Sequence, residues 1–331
     1  MKNFFQNKKV LVAGGTGMVG QKLVPKLINL GAEVYIASLD DNSLVANKVK
    51  KFYKKDLLNL DNCIKVCEEK DIVFNLLGVT GSPKQNIDRP ASFMVSNLYC
   101  ALNMLVAAKK NNVKNYLFTS TYGVYAPSNL MKEEDVWKTF PSEHDKFAGW
   151  AKRIGELQIE AFSKEYNFES LHVVRPANIY GPYANFDSMN SMVVASLIRK
   201  VVDGENPLKV WGDGSAIRDF VYSEDVAEGM IQVVLKKIQK PINIGSGTGI
   251  SIKELVNTII NSKKIKIKPK VIFDSDKPTG DKVRILDTSF AQREKIFPKK
   301  SLQEGIDDTI DWYLKNKNSL EKRYNYFKEN N

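Results

Sequence analysis

A glycine-rich turn between a short apolar run and a helical segment constrains the fold more than any other feature of the chain. The run KVLVAG (9–14) leads directly into GGTGMVG (14–20), and the amphipathic segment 18–31 follows. Glycine permits a tight turn and a close approach of the backbone to a pyrophosphate, while the start of the helix supplies oriented N–H groups. The sequence therefore predicts a dinucleotide site that contains Gly14, Thr16, Gly17, Met18, Val19 and Gly20.

The rest of the first half alternates short apolar runs with helical periods. The runs lie at 33–38, 71–78, 115–121 and 170–176, and the helical stretches include 91–112 and 142–167. Buried strands that alternate with helices indicate a parallel sheet covered on both faces. We expect an α/β fold: a Rossmann-type doubly wound sheet in a dinucleotide-binding domain, residues 1–176, to which some later segments return. A smaller α/β substrate lobe (177–315) and a tail (316–331) complete the predicted organisation.

The composition is that of a soluble protein with a basic surface. The chain has 331 residues and a formal net charge of +11, but its lysines are scattered and form no stripe with aromatic residues between them. We interpret them as a solvated surface and expect a cytoplasmic protein that binds neither nucleic acid nor membrane. Cys63, Cys67 and Cys100 are expected to be buried thiols, and with only two histidines the chain suggests no metal site.

The position of one acid favours NAD over NADP. Asp40 lies twenty residues beyond Gly20, where an acidic residue can bind the ribose hydroxyls, and no arginine is near it to receive a 2′-phosphate. Lys48, Lys50 and Lys51 keep NADP open as the alternative. Asp40 could also be an ordinary helix-capping acid.

Several motifs in order along the chain carry a family resemblance. They are Asp56-Leu57, LLG (76–78), STYGVY (120–125), RPANIYGP (175–182), IRDFVYSEDVA (217–227) and NIGSG (243–247). With the glycine triplet, they resemble the extended short-chain dehydrogenases/reductases of the nucleotide-sugar epimerase/dehydratase group. The resemblance covers nearly the whole chain, and it implies that Asp56, Leu57, Leu77, Gly78 and Lys152 also contact the cofactor.

The second half is most similar to the GDP-fucose synthase branch of that group. The segments NIYGPYANF, VWGDGSAIRDFVYSEDVA and FDSDKPTGDKVRILDTS carry this likeness. It implies a GDP-linked sugar as substrate, bound by Thr121, Asn178, Trp211, Arg218 and Arg284. A guanidinium suits a diphosphate because it can pair with two oxygens at once. For Arg218 the alternative is an ion pair with Asp213 or Asp219.

Two departures from that branch argue against epimerisation of the sugar ring. The positions of its acid–base cysteine and histidine hold Gly123 and Tyr183 here. Epimerisation needs groups that give and take a proton on opposite faces, and glycine can do neither. We therefore expect hydride transfer at C4 of a GDP-hexose or GDP-manno-heptose, without C3/C5 epimerisation, in the synthesis of a surface polysaccharide.

A third departure concerns the acid–base group itself. In the family a Ser/Thr, a Tyr and a Lys act together, and the resemblance assigns Thr121 and Lys152 to two of these roles. The tyrosine position holds Ala148. The alanine could be an engineered replacement, or natural with Tyr183, water or His144 taking the proton, or the mark of a protein without catalysis.

Other candidates for these roles are weaker. Tyr122 follows Thr121 on an extended segment, so its side chain should point the opposite way. His172 lies in a buried strand and is interpreted as a core residue.

Three further expectations complete the interpretation. The first alternative to an enzyme is a regulatory or structural protein that binds a dinucleotide without catalysis. A 4,6-dehydratase is the second alternative, although Tyr122-Gly123 supply no carboxylate beside Thr121. The family's four-helix interface implies a homodimer through the helices near 91–112 and 146–167.

Overall fold

The structure is a computed structural model, and it describes residues 2–44, 48–79, 87–166, 168, 170–187, 191–277, 279–318, 320 and 324. The strands within these ranges are β1 Lys9–Ala13, β2 Glu33–Ser38, β3 Lys51–Lys54, β4 Ile72–Asn75, β5 Asn115–Thr119, β6 Ser128–Met131, β7 Leu171–Pro176, β8 Asn178–Tyr180, β9 Leu208–Trp211, β10 Ile217–Tyr222, β11 Ile242–Ile244, β12 Gly249–Ser251, β13 Val271–Asp274 and β14 Val283–Leu286. The α-helices are α1 Lys2–Phe5, α2 Gly20–Asn29, α3 Leu60–Cys67, α4 Pro90–Lys110, α5 Lys146–Tyr166, α6 Val193–Val202, α7 Ser223–Leu235, α8 Ile252–Ile260, α9 Ser289–Arg293 and α10 Leu302–Asn316.

Seven parallel strands form the main sheet, in the order β11-β7-β5-β4-β1-β2-β3. The strand order reverses between β1 and β4, because the chain moves from β1 through β2 to β3 and then returns to the other side of β1. Ligands of such sheets bind at the carboxyl ends of the strands beside this reversal. The predicted doubly wound α/β class is confirmed.

Both faces of the sheet are covered, as the continuous apolar runs predict. Alternate residues of β1 point to opposite sides: Val10 and Val12 pack with α2 and α7, whereas Leu11 packs with α3, α4 and α5. Each layer encloses its own apolar cluster, so the central strands β1, β4, β5 and β7 are buried on both faces.

The smaller lobe has its own sheets and core. Strands β12, β10, β14 and β6 form one sheet in that order, β8 pairs with β10, and β13 pairs with β9. Two segments cross the boundary that the sequence suggests at residue 176: β11 returns to the main sheet, and β6 leaves the first half to pair with β14. The chain therefore passes between the two lobes several times, and residues of both can meet at one site.

Helix α4 is the one described helix that is long and apolar enough to cross a membrane by length and composition. Half of its most apolar window is buried inside the protein (50%). The helix packs against α3 and α5. Its apolar character is therefore also that of a core helix.

The three cysteines are free and buried, as predicted. Burial raises the pKa of Cys67 to about 12 and that of Cys100 to about 11. Thiols in this state are poor nucleophiles at neutral pH.

Candidate functional site

The glycine-rich turn joins β1 to α2 at the reversal point of the sheet. Gly14 has φ +79°, a backbone conformation that residues other than glycine rarely adopt. A Cβ on Gly20 would lie 2.4 Å from the carbonyl oxygen of Gly15, so this position also requires glycine. The N–H groups of Met18 and Val19 form no hydrogen bond with another described residue. Free N–H groups at the start of a helix are suited to phosphate oxygens.

Asp40 lies beside this turn, just beyond the end of β2. Its carboxylate accepts a hydrogen bond from Thr16 Oγ1 at 2.7 Å and another from the backbone N–H of Tyr324 at 2.7 Å. The capping role is taken by its neighbour Asp41, which accepts from Ser43 N. The alternative of Asp40 as a helix cap is therefore wrong, and a carboxylate at this place repels a 2′-phosphate.

The other predicted cofactor residues follow the carboxyl ends of β3 and β4. Asp56 is exposed and its Oδ1 accepts from Leu58 N at 2.9 Å, while Leu57 is buried. Leu77 and Gly78 lie two and three residues beyond the end of β4. They are next to the side chain of Lys152, whose Nζ would lie 3.5 Å from a Cβ on Gly78.

Lys152 reaches this edge from α5. Its Nζ donates to the carbonyl oxygens of Leu77 (3.0 Å) and Thr119 (2.9 Å), the last residue of β5. Burial lowers the pKa of Lys152 to about 8. Two of the three ammonium hydrogens thus have protein acceptors, and the third is available for a ligand.

Thr121 follows β5 and caps the 3₁₀ turn Tyr122–Val124. Its Oγ1 accepts from Gly123 N at 3.1 Å, so its own hydrogen is free to be donated. Ala148 lies one turn before Lys152 in α5 and is half-buried. The structure therefore brings Thr121, Lys152 and Ala148 to one edge, as the resemblance implies.

These features fit a dinucleotide. The glycine turn leaves N–H groups for a pyrophosphate, Asp40 presents a carboxylate where a ribose would lie, and Lys152 is a buried cation with one hydrogen to spare. A nicotinamide bound along this edge would supply hydride transfer chemistry.

Tyr183 is placed differently from the other predicted catalytic residues. It has φ 64°, and its ring packs on Trp312 of α10 with centroids 5.0 Å apart. No hydrogen bond joins it to Thr121 or Lys152, all three being described residues. A catalytic role for Tyr183 stays a prediction.

The other candidates for the missing proton carrier are accounted for by their contacts. Tyr122 donates its hydroxyl to Asn178 Oδ1 at 2.8 Å and turns away from Thr121, as expected. His144 is exposed, and its Nε2 lies 3.9 Å from Asp281. His172 is a core residue as predicted, with Nδ1 2.7 Å from the carbonyl oxygen of Ile238.

Arg218 and Arg284 lie side by side in the smaller lobe. They are direct register partners on the parallel strands β10 and β14. Arg218 donates to the carbonyl oxygens of Ile217 and Thr279, and among the residues that the structure describes no carboxylate pairs with it. Burial and the neighbouring Arg284 lower the pKa of Arg218. Adjacent cations of this kind favour an anionic ligand.

The proposed alternative partners of Arg218 are engaged elsewhere. Asp219 is buried and accepts from Ser246 N (2.8 Å) and Gly247 N (3.1 Å). Asp213 accepts from Ser215 N at 2.9 Å. The alternative of an ion pair between Arg218 and either aspartate is wrong.

Arg284, by contrast, has carboxylate partners within the protein. It binds the carboxylates of Asp145 and Asp281, and the ring of Tyr122 lies 5.2 Å from its guanidinium. Burial works to lower the pKa of Arg284, but Tyr122, Asp145 and Asp281 outweigh it and raise the pKa. Asp281 lies in a segment that carries the resemblance, but the resemblance assigned no role to it or to Asp145.

Two further predicted substrate residues lie in the same lobe as the arginines. The side chain of Asn178 bridges Tyr122 and the carbonyl oxygen of Asp219, with Nδ2 at 2.9 Å from the latter. Trp211 ends β9 with 47% of its surface exposed. An exposed indole offers a face on which a nucleobase can stack.

Comparisons with known proteins agree with this architecture. The model of the NAD dependent epimerase/dehydratase family matches residues 10–245. GDP-L-colitose synthase of Yersinia pseudotuberculosis is 27% identical over 94% of this chain and 99% of its own. GDP-L-fucose synthase of Escherichia coli (strain K12) is 28% identical over 93% of this chain and 97% of its own.

A solved structure extends the likeness to the fold as a whole. The GDP-6-OMe-4-keto-L-xylo-heptose reductase from C. jejuni superposes with a TM-score of 0.82, at 23% identity over 93% of this chain and 98% of that one. With the match of the family model, these likenesses show that the chain belongs to the NAD-dependent epimerase/dehydratase family of extended short-chain dehydrogenases/reductases.

Proposed function

We propose that the chain is a GDP-sugar oxidoreductase that moves hydride at C4 of the sugar, without epimerisation at C3 or C5. The observation that carries the proposal is that Arg218 and Arg284 are register partners on adjacent strands, and that Arg218 has no carboxylate partner among the described residues. An anion clamp and a cofactor lysine are both needed by an enzyme that aligns a nucleotide sugar with a dinucleotide. The relatives named for GDP-colitose, GDP-fucose and a GDP-heptose support GDP as the nucleotide.

We assign the binding and catalytic roles to the residues of the chain as follows. Thr121 donates its free hydroxyl hydrogen to the reacting sugar oxygen, and Lys152 holds the nicotinamide ribose with its third N–H. Arg218 and Arg284 hold the diphosphate, and Trp211 stacks on the guanine. Tight positioning alone can supply much of the rate, because it replaces a bimolecular encounter by a fixed geometry.

Gly123 supports the proposed absence of ring epimerisation. A Cβ at this position would lie 3.4 Å from Thr121 Cγ2, so the position faces the reacting site, yet glycine has no group that takes a proton. Tyr183, at the second acid–base position, packs on Trp312. Neither residue is equipped to exchange a carbon-bound hydrogen at C3 or C5.

The proposal includes NAD as the cofactor, because of Asp40, and a cytoplasmic homodimer. The helices α4 and α5 pack together and leave Val95, Tyr99 and Leu157 about half exposed (46%, 49% and 51%). Apolar side chains of this size on two neighbouring helices suit an interface with a second copy.

The test incubates the protein with NAD or NADP and, separately, GDP-mannose, GDP-manno-heptose and the matching UDP-sugars, with and without a keto acid that reoxidises the cofactor. Mass spectrometry should find a 4-keto product, two mass units lighter, from a GDP-sugar only. The same reaction in D₂O should leave C3 and C5 without deuterium beyond the solvent-catalysed background. Binding of cofactor and GDP-sugar without any product, even in the Ala148→Tyr variant, would favour the non-catalytic alternative.

A further inference from the structure

Asp145 lies where the missing tyrosine would act. It immediately precedes α5 and stands three residues before Ala148, so the two positions are neighbours on one helical face. A Cβ built on Gly123 would lie 3.4 Å from both Cβ and Cγ of Asp145 and 3.4 Å from Cγ2 of Thr121. Asp145 and Thr121 therefore flank the same small space.

The carboxylate is held in place by Arg284 but is not saturated. Its Oδ2 pairs with Nη1 of Arg284, whereas Oδ1 accepts no hydrogen bond from a described residue. The side chain is 23% exposed, so a proton on it can pass to solvent. Asp281 pairs with the same guanidinium from its other side.

The other titratable groups near this space are less suited to carry a proton to the sugar. Tyr122 is bound to Asn178, the ring of Tyr183 packs on Trp312, and His144 points toward Asp281. Of the described candidates, Asp145 is the one that contacts the Gly123 space and has an unused acceptor oxygen.

We propose that Asp145 Oδ1 takes over the proton-transfer role of the absent tyrosine, an inference that rests on the proposed function. In the oxidising direction the C4–H bond of the sugar would break, and a nicotinamide bound along this edge would accept the hydride. The O–H bond of the same carbon breaks, the proton passes to Asp145 Oδ1, and the C=O bond forms. In the reducing direction the carboxylic acid returns that proton to the carbonyl oxygen.

The experiment compares Asp145→Asn with Asp281→Asn. Both variants remove one negative charge that competes for Arg284, so isothermal calorimetry should show both binding GDP tighter, by roughly threefold to tenfold. Only Asp145→Asn removes the proton acceptor. Its kcat should fall about 10²-fold or more, since a positioned acid–base group contributes about 10² to 10⁴-fold. Asp281→Asn should change KM rather than kcat.

Chemical rescue distinguishes proton transfer from support of Arg284. Formate should restore part of the kcat of Asp145→Ala, because it can enter the vacated space and accept the proton, and should not raise that of Asp281→Ala. Thermal unfolding of each variant shows whether the fold is kept. Equal losses of kcat in the two asparagine variants, or no rescue in a folded Asp145→Ala protein, would overturn the inference.

The proposed function fails separately. A wild-type protein that binds GDP-sugars but turns none over contradicts the oxidoreductase proposal and this inference together. A wild-type protein that is active, with an equally active Asp145→Asn variant, contradicts the inference alone.

Discussion

The buried ammonium of Lys152 should make the free energy of unfolding depend on pH in a way that a single substitution removes. Burial lowers its pKa from 10.5 to about 8. A shift of about 2.5 units corresponds to about 3 kcal/mol, at about 1.4 kcal/mol per unit. At neutral pH the native state without cofactor is therefore destabilised by this amount, because the buried ammonium is charged.

The sign follows from the protons bound in each state. Below pH 8 both the native and the unfolded chain hold the proton. Between pH 8 and 10.5 the unfolded chain keeps a proton that the native protein releases, so the free energy of unfolding rises with pH through this window. Lys152→Met removes the group and should remove this rise.

The assay is urea unfolding of the wild-type protein and Lys152→Met at several values between pH 7 and 10.5. Other titrating groups are common to both proteins and cancel in the difference. That difference should change by about 3 kcal/mol in favour of the wild-type protein as the pH rises from 8 to 10.5. A flat difference would show that Lys152 keeps an ordinary pKa and that the reasoning from its burial is wrong.

Three further predictions concern binding, stability and assembly. Arg218→Gln should weaken GDP binding in calorimetry about 10- to 100-fold, because a charge-assisted hydrogen bond contributes about 1.5 to 3 kcal/mol. Glu156→Gln should lower the free energy of unfolding by about 3 to 5 kcal/mol, since it leaves the buried guanidinium of Arg175 without its carboxylate partner at 2.6 Å. Leu157→Glu should convert a dimer to a monomer in sedimentation, and a wild-type protein that is monomeric at micromolar concentration would contradict the interface through α4 and α5.

The main sheet could be predicted because its signals are local. Strand β2 begins and ends where the apolar run 33–38 does, and the glycine turn marks the first βαβ unit. The predicted run 115–121 is longer than β5, which ends at Thr119, because Thr121 leaves the sheet to cap the next turn. Strand β6 escaped prediction, since the sequence SNLM has little apolar character and is a strand through its pairing with β14.

The site was predictable where one motif places a residue and not where distant segments meet. Lys152 and Thr121 follow from motifs, and their approach follows from the doubly wound fold. The contact of Asp145 with Arg284 joins residues 139 apart in the chain, and no periodicity or spacing indicates it. For the same reason the sequence left open whether Arg218 pairs with an aspartate, a question that only the hydrogen bonds of Asp219 and Asp213 answer.

The charges around Arg284 connect substrate binding to the proton transfer that we propose for Asp145. Arg218 and Arg284 carry two positive charges, and Asp145 and Asp281 carry two negative ones, so the group is balanced before a ligand arrives. A diphosphate bound by the arginines adds about two negative charges, so the site then has an excess of negative charge. If Asp145 accepts the hydroxyl proton of the sugar, as we propose, its carboxylate loses its charge and competes less with the phosphate for Arg284. Asp145 would therefore couple diphosphate binding to the proposed proton transfer through Arg284.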